Sequence, residues 1–186
     1  MIYINTDAFS HGQVLSKIWL CEELEPHVPN KANVAILGSW YNLLAFMMLT
    51  RNNTLYSHIT GIDKDHLAIE VSDKICNAWT FGEENKIVNT INDVNDLDYV
   101  EYNLVINCSV EHMSDGWFDE IPDGTTVCIQ SSNVTDAMFP WYVINANKTI
   151  DILKSKYPLS STLFSGEKEF IYGDWGYKRF MIIGIK

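Results

Sequence analysis

This sequence predicts an α/β fold: a mostly parallel sheet with helices on both faces and an antiparallel hairpin at its end. Three observations carry that expectation. From Asn33 onward, short apolar runs rich in β-branched residues alternate with longer stretches of helical periodicity. The first of those runs ends at Gly38, where a strand must turn sharply into a helix. The last stretch, LSSTLFSGEKEFIYGDWGYKRFMIIGIK, holds two β-rich runs separated by Gly173 and Gly176, with a final strand at Lys178 to Ile185 and no helix between. With 186 residues, 47% of them apolar and 20% charged, the chain has the size and profile of one folded domain.

Taken in order, GQVLSKIWLCEELE places Val14, Leu15, Ile18 and Cys21 on one side of a leading amphipathic helix. Two prolines in PHVPNKAN end it. NVAIL is then the first strand, and after Gly38 the residues Trp40, Leu43, Leu44 and Met47 recur at helical spacing in a segment apolar on nearly every side. RNNTLYS breaks that helix, and SHITGID forms a second strand closing on Asp63. Leu67, Val71, Ile75 and Trp79 mark the next helix, with Asp65 at its N-cap. KIVNTIND and YNLVINC follow as the third and fourth strands, joined by a polar link from Asn95 to Glu101. Pro122, Asp123 and Gly124 make a turn into a fifth strand, TTVCIQ. This alternation is that of a Rossmann-like fold.

The formal net charge of -11 disfavours a nucleic-acid partner, because such affinity comes mostly from Lys and Arg neutralising phosphates. The longest apolar stretches, such as LLAFMML, fall short of the roughly 20 residues that span a bilayer, so no membrane span is expected. MIYINTDAFSHG lacks the basic start and apolar core of a secretory signal, which makes the cytoplasm the expected location. Cys21, Cys76, Cys108 and Cys128 are widely separated within apolar surroundings and read as buried thiols, with no structural metal expected.

Only Gly38 remains of the three glycines that let a dinucleotide pyrophosphate approach a strand-to-helix turn. Trp40 and Tyr41 would crowd a pyrophosphate, whereas an adenosine ligand without phosphates needs no such cradle. S-adenosylmethionine fits that description: its carboxylate can use backbone N–H groups near a helix start, and its ribose needs hydrogen-bond acceptors. Asp63, ending the second strand, is placed to accept the ribose hydroxyls, or alternatively to cap the following helix. Asp93, beyond the third strand, is placed to accept from an adenine amino group, or is a turn aspartate. At the end of the fourth strand, NCSVEHM groups Asn107, Cys108, Ser109, Glu111 and His112. Glu111 and His112 are candidate catalytic groups that deprotonate or position a substrate, or else satisfy backbone groups of the next helix. Cys108 reads as packing rather than nucleophile. The segment SSNVTDAMFPWYVINANKT supplies Phe139, Trp141 and Tyr142 either to a substrate lid or to a satellite core. Gln13, Ser16 and Lys17 of the leading helix face either the ligand or, more simply, solvent.

From NVAILGSW to KRFMIIGIK, the order of these pieces resembles a class I S-adenosylmethionine-dependent methyltransferase of the Rossmann-like superfamily. The resemblance rests on VAILGS, ITGID, the acidic end of IVNTIND, LVINCSVEHM and the closing hairpin. It implies one methyltransferase-like domain over residues 1–186 and a seven-stranded sheet whose last strand inserts antiparallel to the others. It also implies cofactor contacts: Gly38 and Ser39 at the methionine part, Asp63 at the ribose, Asp93 and Val94 at the adenine, and Asn107, Cys108 and Ser109 near the methyl donor, with Trp40 and Lys64 also among the expected cofactor-binding residues. The family shares no catalytic base. GSWYNL departs from the pattern, since many members carry a second and third glycine there. Over a few positions it also resembles the GSGPLPL-type turn of nicotianamine synthases, which transfer an aminocarboxypropyl group from the same cofactor. The expected activity is methyl transfer to a small molecule or a protein side chain. Aminocarboxypropyl transfer and a noncatalytic cofactor-binding or assembly role are the alternatives, and an NAD-dependent reductase is disfavoured by the missing glycines.

Overall fold

The computed structural model describes residues 4–77, 85–135, 143–172 and 175–186. Seven strands form one sheet: β1 (Ala32–Leu37), β2 (Tyr56–Asp63), β3 (Ile87–Ile91), β4 (Leu104–Asn107), β5 (Thr126–Ser132), β6 (Ser161–Tyr172) and β7 (Trp175–Ile185). Their order across the sheet is β3-β2-β1-β4-β5-β7-β6. The first five strands pair in parallel, whereas β7 pairs antiparallel with both β5 and β6. The chain direction reverses its march across the sheet between β1 and β4, and in open α/β sheets the ligand crevice lies beyond the strand ends at such a point.

Strands buried on both faces need apolar residues at successive positions, and ANVAIL and LVIN supply them. Val34 and Ile36 point to one face, where Trp19, Leu20 and Leu24 of α1 (His11–Leu24) and Leu44 and Met48 of α2 (Leu43–Asn52) cover them. Ala35 and Leu37 point to the other, against Trp117 and Phe118 of α4 (Gly116–Asp119) and Leu153 of α5 (Ile150–Lys156). On that face the Tyr157 ring lies 5.4 Å from Trp117 and 5.3 Å from Phe118 between centroids, an aromatic seam joining both short helices. The helix α3 (His66–Asn77) follows β2, and Asp65 caps it as expected, its Oδ1 accepting the Leu67 N–H at 2.9 Å.

Some faces and boundaries differ from expectation. In α1 the core takes Ser16, Trp19, Leu20, Cys21 and Leu24, while Val14, Leu15 and Ile18 are half-buried. Two apolar stripes compete on this helix, and the bulk of Trp19 with the Gln130 amide donating to the Ser16 carbonyl (3.3 Å) sets its rotation. Trp40 lies outside α2, which begins only at Leu43, because Trp40 and Asn42 adopt left-handed backbone. Leu67 is exposed on α3, whose core side is instead Ala68, Ile69, Val71, Ser72 and Cys76. The last strand begins earlier than the expected Lys178: β7 starts at Trp175, and Gly176 pairs with Ile171 inside the hairpin. The helix α5 was not anticipated, although Thr149 caps it by accepting the Ile152 N–H. Trp79 and the aromatic group Phe139, Trp141 and Tyr142 lie outside the described residues.

Gly61 of β2 leaves room for the Asn42 side chain: a Cβ on Gly61 would stand 2.3 Å from Asn42 Nδ2. Asn42 is fully buried, and the same Nδ2 donates to Asn89 Oδ1 at 2.9 Å, so it has no free path of retreat. Gly61→Ala is therefore expected to lower stability by about 1–3 kcal/mol through overpacking, read as a fall in Tm by calorimetry. An unchanged Tm would show that the turn yields at no cost.

Candidate functional site

The turn between β1 and α2 is the floor of the site. Its backbone alternates into the left-handed region at Gly38 (φ 58), Trp40 (φ 50) and Asn42 (φ 49). Glycine takes this conformation freely, but a bulky residue such as Trp40 does so at a cost of about 1–2 kcal/mol. Hydrogen bonds hold it: Ser39 N–H donates to Ile62 O (3.0 Å), Trp40 N–H to Asp63 Oδ2 (2.8 Å) and Asn42 N–H to Ser39 O (2.8 Å). Gly38 is also required by a neighbour, because a Cβ there would approach Ser109 Cβ to 2.9 Å and Met113 Cε to 3.0 Å. Ser109 Oγ donates to the Gly38 carbonyl at 3.1 Å and so ties the tips of β1 and β4 together.

Above this floor lies a cavity of about 860 Å³, a size that accommodates a cofactor with a small second ligand. Gly38, Ser39, Trp40, Asp63 and Lys64 line it from the ends of β1 and β2. Asp93 and Val94 line it from beyond β3, and Cys108, Ser109, Glu111 and His112 from beyond β4. Gln13, Ser16 and Lys17 of α1 also reach the wall, against the simpler expectation of solvated positions. Asn107 is the exception among the expected site residues. It is fully buried, its Oδ1 accepts the Ser109 N–H at 2.9 Å and its amide contacts Met113 Sδ at 3.2 Å, so it shapes the turn after β4 and stays off the wall.

Several of these side chains do structural work as well. Asp63 accepts from Trp40 N–H with one oxygen and from Asp65 N–H (2.9 Å) with the other, and each oxygen retains a second lone pair for a ligand. Asp93 accepts from the Asn95 backbone (2.9 Å) and amide (2.7 Å), which hold its carboxyl below the usual range, so the turn reading describes its local bonds. Glu111 is 4% exposed and accepts hydroxyl donors from Ser132 (3.1 Å) and Ser131 (3.5 Å), while its backbone carbonyl accepts the N–H groups of Ile144 and Asn145. Burial pushes the Cys108 thiol up to about 11, which keeps it protonated and agrees with a packing role.

The sequence reading missed Arg179 of β7 and Gln130 of β5, both on the cavity wall. Arg179 is 7% exposed, and its Nε finds no hydrogen-bond partner; Gln130 Oε1 and Ser39 Oγ are likewise buried without one. A signal for Arg179 was present in GYKRFMII, where a basic pair enters an apolar strand and alternation requires one of the two to face inward. Among the described residues no group of three or more His, Cys, Asp or Glu side chains could hold a metal ion, and no helix is long and apolar enough to cross a membrane.

No protein-family model matches the chain, and no curated protein matches it in sequence. Solved structures do match it in fold. The N-methyltransferase NodS from Bradyrhizobium japonicum WM9, in complex with S-adenosylhomocysteine, superposes with a TM-score of 0.67 at 13% identity over 94% of this chain and 88% of that one. A putative sarcosine dimethylglycine methyltransferase from Galdieria sulphuraria gives 0.66 at 10% identity, covering 93% and 86%. Magnesium protoporphyrin IX methyltransferase from Synechocystis PCC 6803, with bound S-adenosylhomocysteine, gives 0.65 at 12% identity, covering 93% and 84%. The chain therefore has the fold of the class I S-adenosylmethionine-dependent methyltransferases.

Lys17 carries a measurable consequence of this site. Burial is the main cause that lowers its ammonium pKa from 10.5 to about 8, although its Nζ donates to Gln13 Oε1 at 2.8 Å. Between those two values the unfolded chain binds more protons than the folded one, so this group's contribution to stability rises with pH across that window and is least favourable below it. Lys17→Met is expected to stabilise the fold at pH 7 by about 1–2 kcal/mol, with the gain shrinking toward pH 10. Denaturant melts at both pH values check this; a loss of stability at pH 7 would show that the Gln13 contact outweighs burial.

Proposed function

We propose that this protein is an S-adenosylmethionine-dependent methyltransferase whose acceptor is a small molecule or a protein side chain. The observation that carries the reading is convergence: the left-handed turn at Gly38, the carboxylates Asp63 and Asp93, and the β4 tip at Ser109 all face one cavity at the point where the strand order reverses. The residues present fit the cofactor. The wall offers carboxylates where a ribose and an adenine amino group need acceptors, and Ser39 Oγ is buried without a partner beside the turn. Trp40 occupies the position where a dinucleotide pyrophosphate would need glycine, which disfavours NAD as the ligand. The solved neighbours that contain S-adenosylhomocysteine support the same assignment.

When bound, the cofactor supplies an activated methyl group on a sulfonium. The chain's own residues then have three tasks. Asp63 and Asp93, with the net charge of -11, make the approach favourable for a cation. The packed turn from Gly38 to Asn42 fixes orientation, and alignment of reacting groups is worth more here than acid–base chemistry. Glu111, tied to Ser131 and Ser132, is held as a positioning group and counter-charge within the wall. His112, half-buried on the same wall, is the group placed to accept a proton from an acceptor.

Calorimetric titration tests this directly. The protein is expected to bind S-adenosylmethionine and S-adenosylhomocysteine and to ignore NADH. Asp63→Asn, which keeps the shape of the side chain, is expected to weaken both by roughly tenfold, about 1.4 kcal/mol, through loss of a charged acceptor. Absence of binding by the wild-type protein would defeat the proposal. Release of methylthioadenosine during turnover, in place of S-adenosylhomocysteine, would move the reaction to aminocarboxypropyl transfer.

A further inference from the structure

Two cations, Arg179 and Lys17, stand on the cavity wall away from the carboxylates Asp63 and Asp93. Asp63 on β2 and Asp93 after β3 lie at one side, while Arg179 stands on β7, where it pairs in register with Ser132 at the end of β5. Between β1 and β7 lie three strand spacings, about 14 Å. A cofactor laid between Asp93 and Gly38 therefore leaves Arg179 on the far side, beyond the methyl donor. There Arg179 is joined on the wall by Lys17 of α1, and the two cations sense each other's charge. The carboxylate that faces Arg179 is Glu111, yet Arg179 joins none of the ion pairs found among the described residues. Tyr177 is its other near neighbour: the guanidinium carbon lies 5.6 Å from the ring centroid and the two side chains hydrogen-bond. Its Nε remains unpartnered although the residue is 7% exposed.

A guanidinium sequestered in this way is expensive unless a charged acceptor meets it. Its planar fork matches a carboxylate bidentately, and a neighbouring ammonium adds a point charge. Arg179 and Lys17 share this wall with two carboxylates, Glu111 and the Asp7 that lies near Lys17, yet Arg179 Nε is still left without a partner. Gln130, with Oε1 unpartnered and its amide bound to the Ser16 carbonyl, extends this polar patch between α1 and β5.

We propose that the methyl acceptor carries a carboxylate, and that Arg179 and Lys17 are the residues that bind it. The assignment rests on the methyltransferase reading for the identity of the cofactor. The oxyanion has two potential sources, the acceptor and the methionine part of the cofactor, and the position of Arg179 across β5 from the Gly38 turn selects the acceptor.

The test uses the full chain, loaded with S-adenosylhomocysteine and titrated with benzoate or its neutral isostere benzamide by ligand-observed NMR. Benzoate is expected to bind at least tenfold more tightly than benzamide. Arg179→Gln and Lys17→Met are each expected to weaken benzoate at least fivefold more than they weaken S-adenosylhomocysteine. Equal binding of the two probes, or no binding of either, would overturn the proposal. So would variants that weaken S-adenosylhomocysteine while leaving 5′-methylthioadenosine, which lacks the carboxylate, and benzoate unaffected, since the cations would then serve the cofactor. Should Arg179→Gln not fold, Lys17→Met and the wild-type comparison decide the matter. Failure of the wild-type chain to bind S-adenosylhomocysteine would be a separate result: the benzoate and benzamide titrations on the unloaded chain then still report whether an oxyanion site exists.

Discussion

The Trp40 peptide N–H donates to Asp63 at 2.8 Å, and the shape of the site depends on that contact. A tryptophan does not rest in the left-handed region by preference; without a partner for its N–H the turn would relax toward a helical start one turn earlier. Asp63 supplies the partner from the neighbouring strand, and Gly61, two residues before it, vacates the space into which Asn42 folds. Asn42 then reaches Asn89 on β3, which also accepts from Ser72 of α3 at 2.8 Å. One turn is thus fastened to β2, β3 and α3 through buried polar groups. Asn42 Oδ1 is left buried without a partner, so the network is not fully satisfied, and its remaining bonds hold the turn together. The delayed start of α2 follows from it, and so does the open floor beside Gly38.

This arrangement explains how a fold associated with glycine-rich turns tolerates GSWYNL. The second and third glycines of a dinucleotide turn serve close approach of pyrophosphate and close packing of helix on strand. Here the approach of β4 at Ser109 makes the demand on Gly38, and the positive φ values further along are met by strained tryptophan and by asparagine, a residue that tolerates this region better than most. What glycine would provide through freedom, the chain provides through hydrogen bonds. The result is a stiffer floor, suited to a ligand that needs orientation more than a phosphate cradle.

Much of the site was legible because topology fixes it. Once ITGID and IVNTIND are recognised as adjacent parallel strands, their acidic ends must fall on the same side of the sheet, and Asp63 and Asp93 both reach the cavity. Gly38 and Ser109 follow from the same rule applied to β1 and β4. Other features depend on contacts that no local pattern encodes. Val14, Leu15 and Ile18 form as good an apolar stripe as the one that is buried, and only the partner surface chooses between them. Asn107 looks like a strand-end ligand in NCSVEHM, but its side chain is fully buried against Ser109 N–H and Met113 and does not reach the cavity wall. In GYKRF alternation sends one of the basic pair inward but does not say which; antiparallel pairing with Ser132 turns Arg179 inward and leaves Lys178 outward, where it meets Glu167 at 2.6 Å.

The two ends of the cavity also assign different work to its carboxylates. Asp63 and Asp93 both take bonds from backbone N–H groups, and at Asp93 these hold the carboxyl below its usual range. Glu111 is buried beside the Arg179 guanidinium and accepts from two serine hydroxyls. Glu111 is the internal counter-charge that lets Arg179 stay buried. An acceptor carboxylate arriving at Arg179 would then shift that compensation outward without moving a proton, and the reacting nucleophile would be set by where the carboxylate is gripped.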